Sequence, residues 1–258
     1  MDACPNLKLV SVLATGYNII DTEYAAKRGV TVCNVPAYST NSTSQFAIAL
    51  LLELANNVGL HNASVHAGDW QNSKDFAYWK KPVIELAGKT LGIIGLGAIG
   101  KQTAKVAKSM NMNVIANTPH PPEDWRGFVD FVSLDELFEK SDAIVLHCPL
   151  KADNKELINA NNIAKMKDGV LIVNNARGGL INEADLAEAL NSGKVAGAAV
   201  DVVSTEPIDA NNPLLSAKNC IITPHISWTS LECRKRIMET TENNIKSFIA
   251  NNPINVVI

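Results

Sequence analysis

The stretch that decides the fold is Thr90-Leu-Gly-Ile-Ile-Gly-Leu-Gly-Ala-Ile-Gly-Lys-Gln-Thr-Ala-Lys105. It begins with an aliphatic run at 90–95, continues through three glycines, and ends in residues that favour a helix. Uninterrupted hydrophobicity in so short a run indicates a strand covered on both faces. A strand, a glycine turn and a helix in this order predict one βα unit of a parallel sheet.

The glycines of this stretch have the spacing GxGxxG, at Gly95, Gly97 and Gly100. Gly95 permits a tight turn, Gly97 lets the backbone approach a pyrophosphate, and Gly100 allows close packing of helix on strand. The backbone N–H groups of the first helical turn, at Ala98, Ile99 and Gly100, would face the phosphates. The placement between strand and helix predicts a dinucleotide site.

The same residues raise a second possibility, because Gly95 to Lys101 also satisfies GxxxxGK. A nucleotide triphosphatase then needs a Ser or Thr hydroxyl for magnesium, and this chain has Gln102 instead. The substitution favours the dinucleotide.

The choice between NAD and NADP stays open from the residues after the second strand, 113–116. This strand is followed by Thr118 and His120, and the first carboxylate is Glu123. No acidic residue is therefore placed for the ribose 2′-hydroxyl, and no Arg or Lys for a 2′-phosphate. We expect NAD or NADP as the cofactor, with NAD slightly favoured.

Working outward, similar aliphatic runs alternate with helical patterns as far as residue 222. A clear helix is predicted at 183–191, with Asn182 as its N-cap and Gly193 just past its end. Alternation of this kind predicts a doubly wound parallel sheet, the Rossmann arrangement. The predicted strands are 90–95, 113–116, 128–132, 142–148, 170–174, 197–202 and 219–222.

The flanking regions have another pattern. Before the sheet we predict strands at 8–13 and 30–35 and helices at 23–28 and 42–54, and an amphipathic helix at 229–250 follows it. Residues 61–85, named the arm here, contain Trp70, Phe76, Tyr78 and Trp79 on a segment of weak periodicity. An apolar arm of this kind packs on its own domain or on a second subunit.

Composition excludes several classes of protein. The chain has 258 residues and a net charge of −3, so it lacks the basic field that nucleic acid binding requires. Its longest apolar stretch, 46–54, is too short to span a bilayer. Five cysteines without CxxC spacing indicate neither disulfides nor a metal site and point to a reducing cytoplasm.

Three ionisable residues follow successive predicted strands. They are Arg177 in Asn-Asn-Ala-Arg-Gly-Gly, Glu206 before Pro207, and His225 in Thr-Pro-His-Ile. Each would be unremarkable as a solvated turn residue. Together they lie where doubly wound folds bind ligands, at the carboxyl ends of the strands.

With the glycine loop, these residues resemble the D-isomer-specific 2-hydroxyacid dehydrogenase family, and within it the glycerate dehydrogenase or hydroxypyruvate reductase branch. The resemblance covers nearly the whole chain. Its further motifs are Leu13-Ala-Thr-Gly16-Tyr-Asn, Asn34-Val-Pro-Ala-Tyr, Glu85-Leu-Ala-Gly-Lys-Thr-Leu-Gly92, His147-Cys-Pro-Leu and Asp201 to Pro207.

The resemblance implies an oxidoreductase that transfers a hydride between NAD(P)H and a small 2-keto acid, to give the D-2-hydroxy acid. His225 would be the general acid and base, oriented by Glu206, and Arg177 would hold the substrate carboxylate. Backbone N–H groups of Thr15 and Gly16 would bind its other side. Asp201 would bind the nicotinamide carboxamide, and further cofactor contacts would come from Thr118, His147, Cys148, Pro149, Asn175 and Ala176.

The chain departs from the family at three places. Thr118 replaces the usual acidic residue, Lys151 stands where Thr is common, and the opening part of the substrate-binding domain has no counterpart. The expected organisation is a partial flavodoxin-like substrate domain at 1–59, a dinucleotide domain with a dimerisation arm at 60–228, and a return to the first domain at 229–258. We expect a homodimer.

Two alternatives remain open at this point. One is a non-catalytic NAD(H)-binding sensor or corepressor-like module on the same fold. The other is an inactive truncated dehydrogenase, since part of the substrate domain is missing.

Overall fold

The computed structural model describes residues 1–258. It contains nine strands and eight α-helices. In chain order they are β1 (Leu9–Ser11), α1 (Thr22–Lys27), β2 (Thr31–Cys33), α2 (Thr40–Asn56), α3 (Val58–His66), β3 (Thr90–Ile94), α4 (Ala98–Ser109), β4 (Asn113–Asn117), β5 (Asp130–Phe131), α5 (Leu134–Lys140), β6 (Ala143–Leu146), α6 (Ala160–Lys165), β7 (Val170–Asn174), α7 (Glu183–Ser192), β8 (Val195–Val200), β9 (Cys220–Ile222) and α8 (Leu231–Ile249).

The chain divides into two compact units, Thr43–Ser227 and a second one made of Met1–Ser42 with Trp228–Ile258. The first junction comes earlier than the predicted boundary at 59/60. The reason lies in α2, whose buried Leu50, Leu51 and Leu54 belong to the same apolar core as Leu91 and Ile93 of β3. Most of α2 therefore belongs to the larger unit.

The larger unit is built on a seven-stranded sheet in the order β5-β4-β3-β6-β7-β8-β9, with every neighbouring pair parallel. One apolar core contains residues of α5, α6 and α7, and a separate one contains residues of α2 and α4. Helices thus cover both faces, which confirms the predicted doubly wound sheet. The strand β7 is buried at every position, as the aliphatic run 170–173 predicts.

The predicted helix at 183–191 is confirmed as α7, and its ends have the expected chemistry. The Asn182 side chain accepts a hydrogen bond from the Asp185 N–H group at 3.1 Å. At the other end Gly193 has φ +86°, a left-handed conformation that glycine adopts without strain. Capping at both ends explains why this helix could be located from the sequence.

The smaller unit contains the parallel pair β1 and β2 together with α1 and α8. The second edge of β2 is paired by residues 255–258, through Val32 N–H to Ile258 O at 2.9 Å and Val257 N–H to Val32 O at 2.8 Å. Cys233 and Ile237 of α8 share a small core with Val35 and Tyr38. The smaller unit is therefore formed jointly by Met1–Ser42 and Trp228–Ile258.

None of the helices combines the length and the apolar character needed to cross a membrane. No group of three or more His, Cys, Asp or Glu side chains is arranged to hold a metal ion.

Candidate active site

The glycine loop joins β3 to α4 with a geometry that only glycine permits at two positions. Gly95 has φ +98°, and a Cβ there would lie 2.6 Å from the Cys148 nitrogen. A Cβ on Gly100 would lie 2.2 Å from the Gly95 carbonyl oxygen. The sequence-based roles of a tight turn and a close helix contact are therefore confirmed.

Gly97 differs from its neighbours because a Cβ built on it meets no atom within 4 Å. It is the N-cap of α4, so open space lies over the N-terminus of a twelve-residue helix. The N–H groups of Ala98, Ile99 and Gly100 have no partner within the helix, and the helix dipole favours an anion there. This loop fits the pyrophosphate of a dinucleotide.

The segment 147–148, which follows β6, lies directly against Gly95 and is called the wall here. His147 donates its backbone N–H to Ile94 O at 2.8 Å, and its Nε2 lies 2.9 Å from Thr103 Oγ of α4. Burial lowers the pKa of His147 to about 3 and raises the pKa of the Cys148 thiol to about 11. Both side chains are therefore neutral. The hydrogen bond between the His147 ring and Thr103 links this wall to α4.

The other predicted cofactor contacts have mixed exposure. Thr118 and Ala176 are half-buried, Pro149 is exposed, and Asn175 is buried. The Asn175 amide nitrogen donates to Thr43 O at 2.8 Å and to Ser227 Oγ at 3.3 Å, while its amide oxygen is buried with no donor. That these residues contact a cofactor stays a prediction.

Arg177 lies on the turn after β7, and Asn174 shapes this turn. The fully buried Asn174 side chain accepts from Ala176 N–H at 3.0 Å and donates to Arg177 O at 2.9 Å. The Arg177 guanidinium is half-buried, donates to Ala176 O at 2.7 Å, and forms no salt bridge. Its positive charge is thus available to an external carboxylate.

Gly178 brings this turn against the next loop. A Cβ on Gly178 would lie 2.0 Å from the carbonyl carbon and oxygen of Val203, so no other residue fits without displacing the backbone. Val203 begins the segment that carries Glu206. The turn of Arg177 and the loop of Glu206 are therefore packed as one assembly.

Glu206 and His225 form a hydrogen-bonded pair. His225 Nδ1 lies 2.7 Å from Glu206 Oε2, and the Val203 N–H donates to Glu206 Oε1 at 3.2 Å. Because both carboxylate oxygens are engaged, the imidazole has one favoured orientation, with Nδ1 toward Glu206. The His225 side chain is 42% exposed, and its Nδ1 is the ring atom bonded to Glu206.

The backbone of His225 is strained. Its φ is +55°, in the left-handed region that costs a non-glycine residue about 1–3 kcal/mol. The His225 N–H donates to Thr223 O at 2.9 Å, closing a tight turn. The segment 223–227 is further bonded to Asp201, which is only 1% exposed.

Arg177, Glu206 and His225 follow the neighbouring strands β7, β8 and β9, whose carboxyl ends lie at one edge of the sheet. Thr15 and Gly16 belong to the smaller unit. There Thr15 Oγ donates to Val35 O at 2.8 Å, and the backbone N–H groups of Thr15 and Gly16 make no hydrogen bond. That these N–H groups bind a carboxylate stays a prediction.

Sequence reasoning missed two residues of this region, Asn174 and Thr223. Asn174 ends a strand that is otherwise aliphatic, and a polar residue at that point was the available signal. Thr223 precedes Pro224 and His225 in a quoted motif, but its partner Asp201 is 22 positions away.

Comparison with known proteins identifies the protein family. Residues 48–227 match the family described as "D-isomer specific 2-hydroxyacid dehydrogenase, NAD binding domain". The hydroxypyruvate reductase of Blautia hydrogenotrophica is 53% identical, over 99% of this chain and 80% of the relative. The glycerate dehydrogenase of Methylorubrum extorquens is 40% identical, over 98% of this chain and 79% of the relative.

Among solved structures, the D-lactate dehydrogenase of Aquifex aeolicus in complex with NAD and lactic acid has a TM-score of 0.87 at 32% identity. That comparison covers 96% of this chain and 78% of the other. The family match, the relatives and this structure all point to the same family. The chain belongs to the D-isomer-specific 2-hydroxyacid dehydrogenase family.

Proposed function

We propose that the chain is an oxidoreductase that interconverts a small 2-keto acid, of the hydroxypyruvate and glyoxylate class, with its D-2-hydroxy acid. The observation that carries this proposal is the Glu206–His225 pair, at 2.7 Å, on strand ends that neighbour the turn of the unpaired Arg177. Two relatives are named hydroxypyruvate reductase and glycerate dehydrogenase, which favours catalysis over a non-catalytic sensor.

The nicotinamide ring, when bound, supplies or accepts the hydride at the substrate carbon. His225 Nε2 gives a proton to the keto oxygen during reduction and takes it back during oxidation. Glu206 holds the Nδ1 side of the ring throughout, so that Nε2 keeps its direction. Hydride and proton together reduce the carbonyl group to an alcohol.

Arg177 binds the substrate carboxylate in this proposal. A charge-assisted hydrogen bond contributes about 1.5–3 kcal/mol, and a guanidinium can supply two to one carboxylate. That the N–H groups of Thr15 and Gly16 also bind a carboxylate stays a prediction. With the carboxylate held, the keto oxygen is left for His225.

For the cofactor we propose NAD(H) rather than NADP(H). Thr118 and His120 follow β4, and the turn has no Arg or Lys to bind a 2′-phosphate. A hydroxyl side chain such as Thr118 can still hydrogen-bond a ribose hydroxyl.

We also propose that the protein is a homodimer joined through the arm, and that it is cytoplasmic. Within the arm Phe76 is 93% exposed and Trp79 is 71% exposed. The arm is nonetheless ordered internally, with Trp70 Nε1 donating to Phe76 O at 3.0 Å. All five cysteines are free, as a reducing compartment would keep them. Sedimentation at micromolar concentration tests the dimer, and a monomer would contradict it.

The central experiment measures steady-state rates with hydroxypyruvate, glyoxylate and pyruvate, each with NADH and with NADPH. We expect turnover of at least one of the first two acids, faster with NADH. Absence of turnover with all three, while NADH still quenches tryptophan fluorescence, would replace this proposal with the binding module.

A further inference from the structure

The Asp201 carboxylate, just after β8, is bonded entirely to the segment 223–227. Thr223 Oγ donates to Oδ1 at 2.6 Å, Ile226 N–H donates to Oδ1 at 2.9 Å, and Ser227 N–H donates to Oδ2 at 2.8 Å. The side chain is buried and forms no salt bridge. Its interactions are therefore these three hydrogen bonds.

The three donors flank His225 on both sides. Thr223 lies two residues before it, and Ile226 and Ser227 follow it directly. His225 has the left-handed φ of +55°, which a histidine leaves for an extended or helical conformation when nothing restrains it. Fixing both flanks keeps the strained residue in place.

We propose that Asp201 is a positioning residue for the reaction, which acts through the segment 223–227 to hold the His225 imidazole against Glu206. This inference rests on the proposed function, because His225, the residue that Asp201 would position, is the one proposed to move the proton. This role is separate from the contact with the nicotinamide carboxamide that the resemblance implies for Asp201.

The chemistry requires a carboxylate at this position. All three partners are donors, so an accepting group must face each of them, and a carboxylate has accepting oxygens only. An asparagine would turn an NH₂ group toward one of these donors and leave it unsatisfied in a buried place. Hydrogen bonds to an ionised acceptor are also about twice as strong as neutral ones.

The first test compares Thr223→Val, which removes one of the three bonds, with Thr223→Ser, which keeps the hydroxyl. We expect the Val variant to lower kcat about tenfold with an unchanged dissociation constant for NADH, and the Ser variant to restore most of kcat. A Val variant with normal kcat would overturn the proposal, and so would one that loses only NADH affinity.

The second test is Asp201→Asn. If Asp201 acts through the segment, we expect kcat to fall about a hundredfold, with a small change in the NADH dissociation constant measured by fluorescence. If it acts only by binding the carboxamide, that dissociation constant rises in parallel with the loss of kcat, which would contradict the proposal.

A third measurement does not require turnover. The proton on His225 Nδ1, held by Glu206, should give a downfield NMR signal that disappears in Glu206→Gln. We expect the signal to weaken in Thr223→Val and to persist in Thr223→Ser. If the wild type turns over no acid, the proposed function fails, but this signal still tests whether Asp201 positions the His225 imidazole through the segment 223–227. An undiminished signal in Thr223→Val would refute it.

Discussion

Two regions along the same edge of the seven-stranded sheet are built in opposite ways for the ligands proposed above. At the glycine loop the predicted binding groups are backbone N–H groups. Side chains are absent where they would collide with Cys148 or Gly95. At the ends of β7, β8 and β9, buried polar side chains shape the turns, through Asn174 for Arg177 and Asp201 for His225. The first region is sensitive to added atoms and the second to removed hydrogen bonds.

The difference follows from what each region must present. A pyrophosphate is bound by several N–H groups at a helix N-terminus, and the backbone supplies them without further side chains. Binding a carboxylate and moving a proton require one guanidinium and one imidazole in fixed directions. A turn that carries such a side chain needs its own support.

The largest effect is expected from His225→Ala, which removes the proposed proton donor from the polar region. We expect kcat for the keto acid to fall about a thousandfold, the range of general acid–base catalysis, with the NADH dissociation constant unchanged. Single-turnover kinetics and fluorescence titration measure the two quantities. Equal losses of both would mean that the two regions are not separable.

A paired change in the glycine region comes next. Gly97→Ala should weaken NADH binding about thirtyfold, because the phosphate loses charge-assisted hydrogen bonds, and should leave the free energy of unfolding nearly unchanged. Gly100→Ala should lower that free energy by about 2 kcal/mol, since its Cβ would meet the Gly95 carbonyl. Fluorescence titration and urea unfolding separate the two, and a reversed pattern would refute the assignment.

Arg177→Lys tests whether geometry matters beyond charge in the polar region. Lysine keeps the charge but cannot donate two parallel hydrogen bonds to a carboxylate. We expect KM for hydroxypyruvate to rise about tenfold, with NADH affinity unaffected. A KM like that of the wild type would show that charge alone suffices.

The smallest expected effect is a pH dependence at the wall behind the glycine loop. His147 stays neutral in the folded protein down to a pKa of about 3, while the unfolded imidazole takes up a proton below its ordinary pKa of 6.5. The unfolded state therefore binds more protons as the pH falls, and this group alone lowers stability by about 1 kcal/mol between pH 6.5 and pH 5.5.

Urea unfolding at both pH values, compared between the wild type and His147→Gln, measures that contribution. The variant should lose less stability on acidification than the wild type. Identical losses would mean that His147 is not the group that titrates.

The glycine region could be predicted from the sequence almost completely, and the polar region only in part. GxGxxG constrains the backbone within six residues, so Gly95 and Gly100 were found by local reasoning. The strand pattern identified Arg177, Glu206 and His225, because each of them closely follows a strand. The pairing of Glu206 with His225 came from the resemblance to a family.

What could not be predicted are contacts between distant positions. The resemblance to the family implies a cofactor role for Asp201, but the sequence does not reveal that its carboxylate accepts hydrogen bonds from residues 22 to 26 positions later. In the same way His147 meets Thr103 across 44 positions. Such partners depend on how neighbouring strands are ordered in the sheet, which local patterns do not specify.

The pairing of β2 with residues 255–258 also has a consequence for how the chain is made. The larger unit, Thr43–Ser227, is continuous in sequence and can fold on the ribosome as soon as it emerges. The smaller unit has to wait, because the edge of β2 stays open until residues 255–258 have been synthesised. During that interval nascent β2 exposes unpaired backbone, which makes it a site for chaperone binding or misassembly.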